Sequence, residues 1–143
     1  MRVYLDNAST TFPKPKKVSE SIYNFLTNIG GNPGRSNHEN SMDSNRILLE
    51  SRITLANLFN FDKFENVIFT NNITTSLNIL INGMFKEGDH VITSSMEHNS
   101  VLRPLFRLKE LNIIDLYVCK ANSFGFIDIN DIEFALPYQK KAF

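Results

Sequence analysis

The feature that most constrains the fold is an alternation of short apolar runs with helical patterns in the second half of the sequence. Strand-like runs occur at Val67–Thr70, Val91–Ser94 and Ile113–Val118, and helical spacing lies between them at Thr74–Phe85 and Ser100–Leu111. This order predicts an α/β fold, with a parallel sheet joined by right-handed crossovers. Open parallel sheets bind ligands beyond the carboxyl ends of their strands, so we expect a site at that edge.

The first half of the sequence predicts mainly helices and polar loops. A short strand-like piece opens it, followed by a turn that Pro13 and Pro15 keep extended. An apolar face over residues 18–29 predicts a helix that ends at Gly30, and a second helix is expected over about residues 42–60. Near the other end of the chain, Asp128 or Asn130 is expected to cap a last short helix that runs through residue 136.

Composition excludes several classes of protein. Fifteen basic residues balance fifteen acidic ones, which argues against general attraction to nucleic acid or to an acidic membrane. The single cysteine, Cys119, rules out a disulfide framework and a cysteine-rich zinc site, and its apolar surroundings predict a small buried side chain. The lack of a disulfide framework favours a cytoplasmic location. No apolar run reaches the roughly 18 residues of a membrane helix, and the first residues lack a signal-peptide pattern.

A cluster of amides and hydroxyls, Asn71 to Thr75, follows the first predicted strand and opens a helix. Helix N-termini present free N–H groups and partial positive charge, and threonine hydroxyls add donors, so the cluster could bind an anion. A simple helix cap explains the same residues. The cluster lacks the glycines and lysine of a nucleotide-binding loop, which argues against nucleoside triphosphates and dinucleotides.

A second polar turn, which contains His98, also follows a strand and opens a helix, so it is expected at the same edge of the sheet as Thr74. Taken alone, His98 is either a surface histidine beside a cap at Asn99 or Ser100, or an imidazole that faces a ligand. Two further loops are polar: Asp6 to Thr11 is rich in hydroxyls, and Gly31 to His38 in glycine and asparagine. Each could line a site or be a simple turn. No metal site is expected, because the histidines lack tight ligand spacing.

Four stretches in this order resemble the start of enzymes of the aminotransferase class V type, and most of all the cysteine desulfurases. They are "YLDNASTTFPKP", "GGNPGRSNHENS", "VIFTNNITTSLNILINGM" and "GDHVITSSMEHNSVLRPL". The resemblance covers residues 3 to about 135. It implies a fold of the aspartate aminotransferase type (fold type I) with an incomplete, mainly parallel sheet, and pyridoxal 5'-phosphate (PLP) as the cofactor.

The resemblance also assigns roles to individual residues. Thr74, with the backbone at Ile73, would bind the PLP phosphate, and His98 would stack on the pyridine ring as a catalytic residue. Four further residues would line the substrate side or a dimer interface: Asn7, Ala8, Asn32 and Arg35. The sequence departs from the family pattern at Ile73, where a small residue or threonine is usual, and at Thr75, where glutamate is usual.

Members of the resembled family are more than twice as long as this chain. Residues 1–143 would therefore form the N-terminal segment and the first part of the PLP-binding large domain, without the rest of that domain or the small domain. The lysine that attaches the cofactor, the aspartate at the pyridinium nitrogen, the loop cysteine and the substrate-binding arginine have no counterpart here. We expect the chain to be inactive alone and, because its sheet is incomplete, poorly soluble or self-associating.

The resemblance implies a parent enzyme that removes sulfur from L-cysteine, leaving L-alanine and an enzyme persulfide. A homodimer and a sulfur-acceptor protein are the implied partners, with no nucleic acid and no membrane. Two alternatives stay open at this point. One is a different PLP reaction on the same scaffold, such as transamination or lyase chemistry. The other is a non-catalytic α/β module that binds a phosphorylated ligand or a partner chain.

Overall fold

A computed structural model describes residues 3–34 and 38–136, which fall into two compact units. The first unit comprises Met1–Ile68 and the second comprises Phe69–Phe143. Each unit has its own secondary structure and its own buried groups.

Helices dominate the first unit. Helix α1 spans Lys16–Asn24 and continues as a π-helical segment, Phe25–Ile29, which ends at Gly30 in the left-handed conformation (φ 56°). Helix α2 spans Glu39–Leu58, and a 3-10 turn at Phe64–Asn66 follows it. The glycine ends the first helix because it adopts a positive φ without the steric penalty of a Cβ atom.

A polar clamp holds residues 31 and 32 against the start of α2. The Ser41 hydroxyl donates to the carbonyl oxygen of Asn32 at 2.8 Å, and the Ser44 hydroxyl donates to that of Gly31 at 2.7 Å. Both serine side chains are buried. A Cβ atom at Gly31 would lie 2.2 Å from the carbonyl oxygen of Asn40, so the close approach of loop and helix requires a glycine there.

The second unit is built on two parallel strands and the helix that connects them. Strand β1 spans Asp89–Ser94, strand β2 spans Ile114–Cys119, and helix α4, which joins them, spans Asn99–Glu110. Helix α3 spans Ile73–Met84 and packs against α4. The apolar core consists of Ile81, Val91, Leu105, Leu108, Ile114 and Leu116.

The other face of the strand pair is more polar. Residues with the opposite parity point there because side chains alternate along a strand. The His90 ring lies 3.2 Å from Asp115 Oδ2 through Nδ1 and 3.0 Å from the Ala135 carbonyl oxygen through Nε2. Ala135 belongs to helix α5, which spans Ile129–Ala135 and packs against β2. The histidine therefore ties α5 to both strands.

Two predicted strands are wrong. Residues 67–70 carry strand-forming side chains and Val67 is extended (φ −77°, ψ 109°), yet in the described part of the chain they pair with no strand. The strand-like piece at the start of the sequence also forms no strand over residues 3–12. A β-strand is stable only when a neighbouring strand satisfies its backbone groups, and propensity alone does not supply one.

Candidate functional site

The start of helix α3 contains the helix cap that the sequence left open. Asn72 is extended, and its Oδ1 accepts hydrogen bonds from the Thr75 backbone N–H at 2.9 Å and from the Thr75 hydroxyl at 3.2 Å. Asparagine is among the preferred N-cap residues because its short side chain reaches the third N–H of the helix. One of the free donors of the first turn is therefore satisfied within the protein.

The cap leaves other donors of that turn available. Within the described residues, the backbone N–H groups of Ile73 and Thr74 and the Thr74 hydroxyl have no protein partner. These three groups are adjacent in the chain and lie at the positive end of the helix dipole. A phosphate has the charge and the acceptor oxygens that such a donor set would bind.

The second predicted residue, His98, is itself the N-cap of α4. Its Nδ1 accepts a hydrogen bond from the Ser100 backbone N–H at 3.1 Å and lies 2.9 Å from the Ser100 hydroxyl. The cap expected at Asn99 or Ser100 is therefore wrong. Because Nδ1 is an acceptor, a neutral His98 carries its proton on Nε2. The side chain stays exposed, so one ring face and the Nε2–H group remain available.

Thr74 and His98 come together along one groove between α3 and α4. The groove has a volume of about 600 Å³. Its other lining residues are Asn78, Asn82, Asn99, Ser100, Arg103, Pro104 and Arg107. No carboxylate is among these lining residues, so the groove is positively charged and suited to an anionic ligand.

The remaining predicted site residues belong to the first unit. The Asn7 Oδ1 accepts the Phe12 backbone N–H at 3.2 Å, which stabilises its own loop, and Ala8 is exposed. Asn32 contributes its carbonyl oxygen to the serine clamp. Arg35 lies outside the described residues.

Arg103, Arg107, Asn78 and Asn82 line the groove but were not singled out from the sequence. Their four-residue spacing on two neighbouring helices is a signal that could have identified them, because such residues share one helix face. It was missed because the same spacing is common on helix faces exposed to solvent.

Cys119 is buried, as predicted, with 1% of its surface exposed. Burial raises the pKa of its thiol, and the carboxylate of Asp131 raises that pKa further. Over residues 3–34 and 38–136, the structure contains no group of three or more potential metal ligands. Within the same ranges, no helix combines the length and the apolar content needed to cross a membrane.

Comparison with known proteins shows which family the chain resembles. The model of the aminotransferase class V family matches residues 3–142. A probable cysteine desulfurase of Borreliella burgdorferi is 32% identical over 136 residues, which is 92% of this chain and 32% of that protein. A cysteine desulfurase IscS of Dictyoglomus turgidum is 36% identical over 138 residues, or 94% of this chain and 34% of that protein.

The fold of the chain also matches solved structures. The apo structure of a cysteine desulfurase from Thermococcus onnurineus superimposes with a TM-score of 0.83 and 31% identity. The match covers 94% of this chain and 34% of that one. The chain thus spans about a third of the length of the curated relatives it matches.

Proposed function

Because this chain belongs to the aminotransferase class V family, whose members depend on PLP, we propose that it is part of a cysteine desulfurase-like enzyme. The relatives named above are cysteine desulfurases, which favours desulfuration over the other reactions of the family. The observation that carries the proposal is the meeting of Thr74 and His98 in one cationic groove.

The donors at the start of α3 fit the phosphate of PLP. The N–H groups of Ile73 and Thr74, together with the Thr74 hydroxyl, would bind its oxygens, and Asn72 would hold the turn in the required conformation. The departures from the family pattern leave this set intact. The Ile73 side chain is 69% exposed, and the Thr75 hydroxyl is used in the cap.

His98 would supply a flat surface for the pyridine ring and, through Nε2–H, a hydrogen-bond donor beside it. When bound, PLP withdraws electrons from the substrate carbon and so weakens the bonds around it. Ser100 fixes the imidazole through two contacts at Nδ1, so the ring keeps one orientation. We propose His98 as the catalytic residue of this part of the enzyme.

The substrate and partners form a further part of the proposal. The complete enzyme would act on L-cysteine, giving L-alanine and an enzyme persulfide, and would pass the sulfur to an acceptor protein. Asn7, Ala8, Asn32 and Arg35 would lie on the substrate side or at the interface of a homodimer, which the resemblance of their loops to the family supports. Residues 1–143 would contribute the N-terminal segment and the first part of the large domain. A cytoplasmic location is proposed because the only cysteine is a buried thiol.

PLP binding to the 143-residue chain tests the cofactor site. We expect binding by equilibrium dialysis, and about tenfold weaker binding in Thr74→Ala, since the variant removes one hydroxyl donor to a dianion and such a hydrogen bond contributes about 1.5 kcal/mol. Thr54→Ala is the matched control, because that threonine is exposed and its hydroxyl bonds to the Glu50 carbonyl within α2. Equal affinities in wild type and Thr74→Ala would refute the phosphate assignment.

A second experiment tests the reaction. An antibody raised to this segment would identify the natural polypeptide that contains it, and alanine and sulfide formation from L-cysteine would be measured with that polypeptide and with the 143-residue chain. We expect activity in a longer polypeptide and none in the chain alone. Turnover by the purified chain alone would contradict the proposal that the reaction needs residues outside 1–143.

A further inference from the structure

The part of the groove away from Thr74 and His98 has two arginines on one wall. Arg103 and Arg107 lie four positions apart on α4 and both are exposed. Among the described residues, neither guanidinium group has a carboxylate within ion-pair distance, and neither donates a side-chain hydrogen bond. Two unpaired cations on one helix face repel each other, and an anionic ligand would relieve that repulsion.

The opposite wall has two asparagines at the same spacing on α3. The Asn78 side-chain N–H₂ group donates to the Thr74 carbonyl oxygen at 2.9 Å, and that of Asn82 donates to the Asn78 carbonyl oxygen at 2.7 Å. These bonds fix both amide groups. Each still offers an Oδ1 acceptor and a second N–H donor, which is the pair of groups that a peptide backbone bonds with.

The charged residues that line the groove, Arg103 and Arg107, are both positive. Helix α3 contains no charged residue, and Glu110, the only acidic residue of α4, does not line the groove. The walls therefore differ in role, because α4 offers positive charge and α3 offers neutral amides. A simple inorganic anion would use the positive charge and the free N–H donors, and would leave the Oδ1 acceptors of α3 without a partner.

We propose that this part of the groove binds an extended, acidic polypeptide segment from a partner protein. Residues four apart on a helix are separated by about 6 Å along its axis, and alternate residues of an extended strand are separated by about 6.6 Å. A strand lying along the groove would thus place alternate acidic side chains beside Arg103 and Arg107. The side chains at the intervening positions would face Asn78 and Asn82 on the opposite wall.

Fluorescence anisotropy with the 143-residue chain tests this inference. The probe is a fluorescein-labelled hexapeptide of alternating glutamate and serine, compared with a peptide of the same composition whose three glutamates are consecutive. We expect the alternating peptide to bind severalfold more tightly. Equal affinities would overturn the extended register, and a lack of binding by both peptides would overturn the site.

Matched variants test whether the peptide binds in the groove. Arg103→Gln/Arg107→Gln is expected to weaken binding of the alternating peptide about tenfold, since it removes both cations that would pair with the acidic side chains. Lys63→Gln/Lys120→Gln removes the same charge outside the groove from exposed lysines and should leave affinity nearly unchanged. Equal losses in the two double variants would show non-specific charge attraction and refute the groove.

Asn78→Leu/Asn82→Leu tests the second wall and keeps all the charges. We expect a loss of severalfold in affinity for the alternating peptide and little change for the consecutive one. Unchanged affinity for the alternating peptide would refute the role of the amides. The inference does not rest on the proposed cofactor, so PLP binding and peptide binding can fail independently.

Discussion

The two units of the chain are ordered by different means. In the second unit, helices and two parallel strands surround an apolar core in which Leu105, Ile114 and Leu116 are each 5% exposed or less. In the first unit, Ala56 is the one apolar side chain that is buried among the described residues, and the other buried side chains are Ser41 and Ser44. One unit depends on apolar burial, the other on hydrogen bonds and a glycine.

The difference shows which unit gains more stability from its own side chains. Burial of apolar side chains contributes about 1.5 to 3 kcal/mol for each large residue, whereas a buried hydrogen bond contributes about 1 kcal/mol net. The second unit therefore has a larger local source of stability. The first unit leaves large apolar side chains such as Leu5, Leu26 and Phe59 more than two-thirds exposed.

The largest effect is expected from a cavity in the core of the second unit. Leu116→Ala should reduce the free energy of unfolding by about 2 to 5 kcal/mol, because the buried side chain leaves an unfilled space. Hydrogen exchange followed by mass spectrometry would show lost protection over residues 89–119. Leu26→Ala, at a site 71% exposed, is the control and should change stability by less than about 0.5 kcal/mol.

The clamp of the first unit should be the next most sensitive feature. Gly31→Ala places a Cβ atom against the Asn40 backbone and should destabilise the unit by about 1 to 3 kcal/mol, seen as faster exchange over residues 38–50. Gly83→Ala is the control, since a Cβ atom there meets nothing within 4 Å. If Gly31→Ala left exchange in α2 unchanged, the clamp would not be what orders that helix.

Much of the second unit could be predicted from the sequence, because its elements have strong local signals. Helices α3 and α4 begin and end within one residue of the predicted bounds, and the expected cap at Asp128 accepts the Asn130 N–H at 2.9 Å. The predicted strand at residues 67–70 is wrong because pairing depends on a partner that local pattern does not reveal. The π-helical turn at Phe25–Ile29 also carries no pattern distinct from that of an α-helix.

Prediction of the site was limited in the same way. Position after a predicted strand singled out Thr74 and His98. The strand predicted before Thr74 does not form, yet both residues line one groove. The choice of cap residues was harder, since Asn72 and His98 each compete with neighbouring hydroxyls and amides for the same N–H group. The groove itself depends on how α3 packs against α4, which the sequence of neither helix specifies alone.

The cap of α3 provides a prediction of intermediate size. Asn72→Ala should lower the stability of the second unit by about 1 kcal/mol, since it removes the acceptor of the Thr75 N–H group. Asn71→Ala, an exposed neighbour, is the control. Chemical denaturation followed by far-ultraviolet circular dichroism measures both. Equal stability of the two variants would show that water replaces the Asn72 acceptor at the Thr75 N–H group without a loss of stability.

The smallest effect concerns the Cys119 thiol. Its pKa is raised in the folded chain, so the stability gained from keeping the thiol neutral is present below the ordinary value of about 9 and is lost as the pH rises through the folded value. Asp131→Asn should move the thiolate absorbance to slightly lower pH, because it removes a repelling carboxylate. Asp62→Asn is the control, and identical titrations of both variants would contradict the contribution of Asp131.

Helix α4 lies between β1 and β2 in the order of the chain, and this order has a consequence for synthesis. Strand β1 cannot pair until α4 and β2 have both left the ribosome, because a parallel partner requires the whole crossover connection. The nascent chain therefore exposes the apolar side chains of α1, α2 and α3 until β1 and β2 pair. Such intermediates aggregate readily, and we expect this stretch of the chain to engage chaperones during translation.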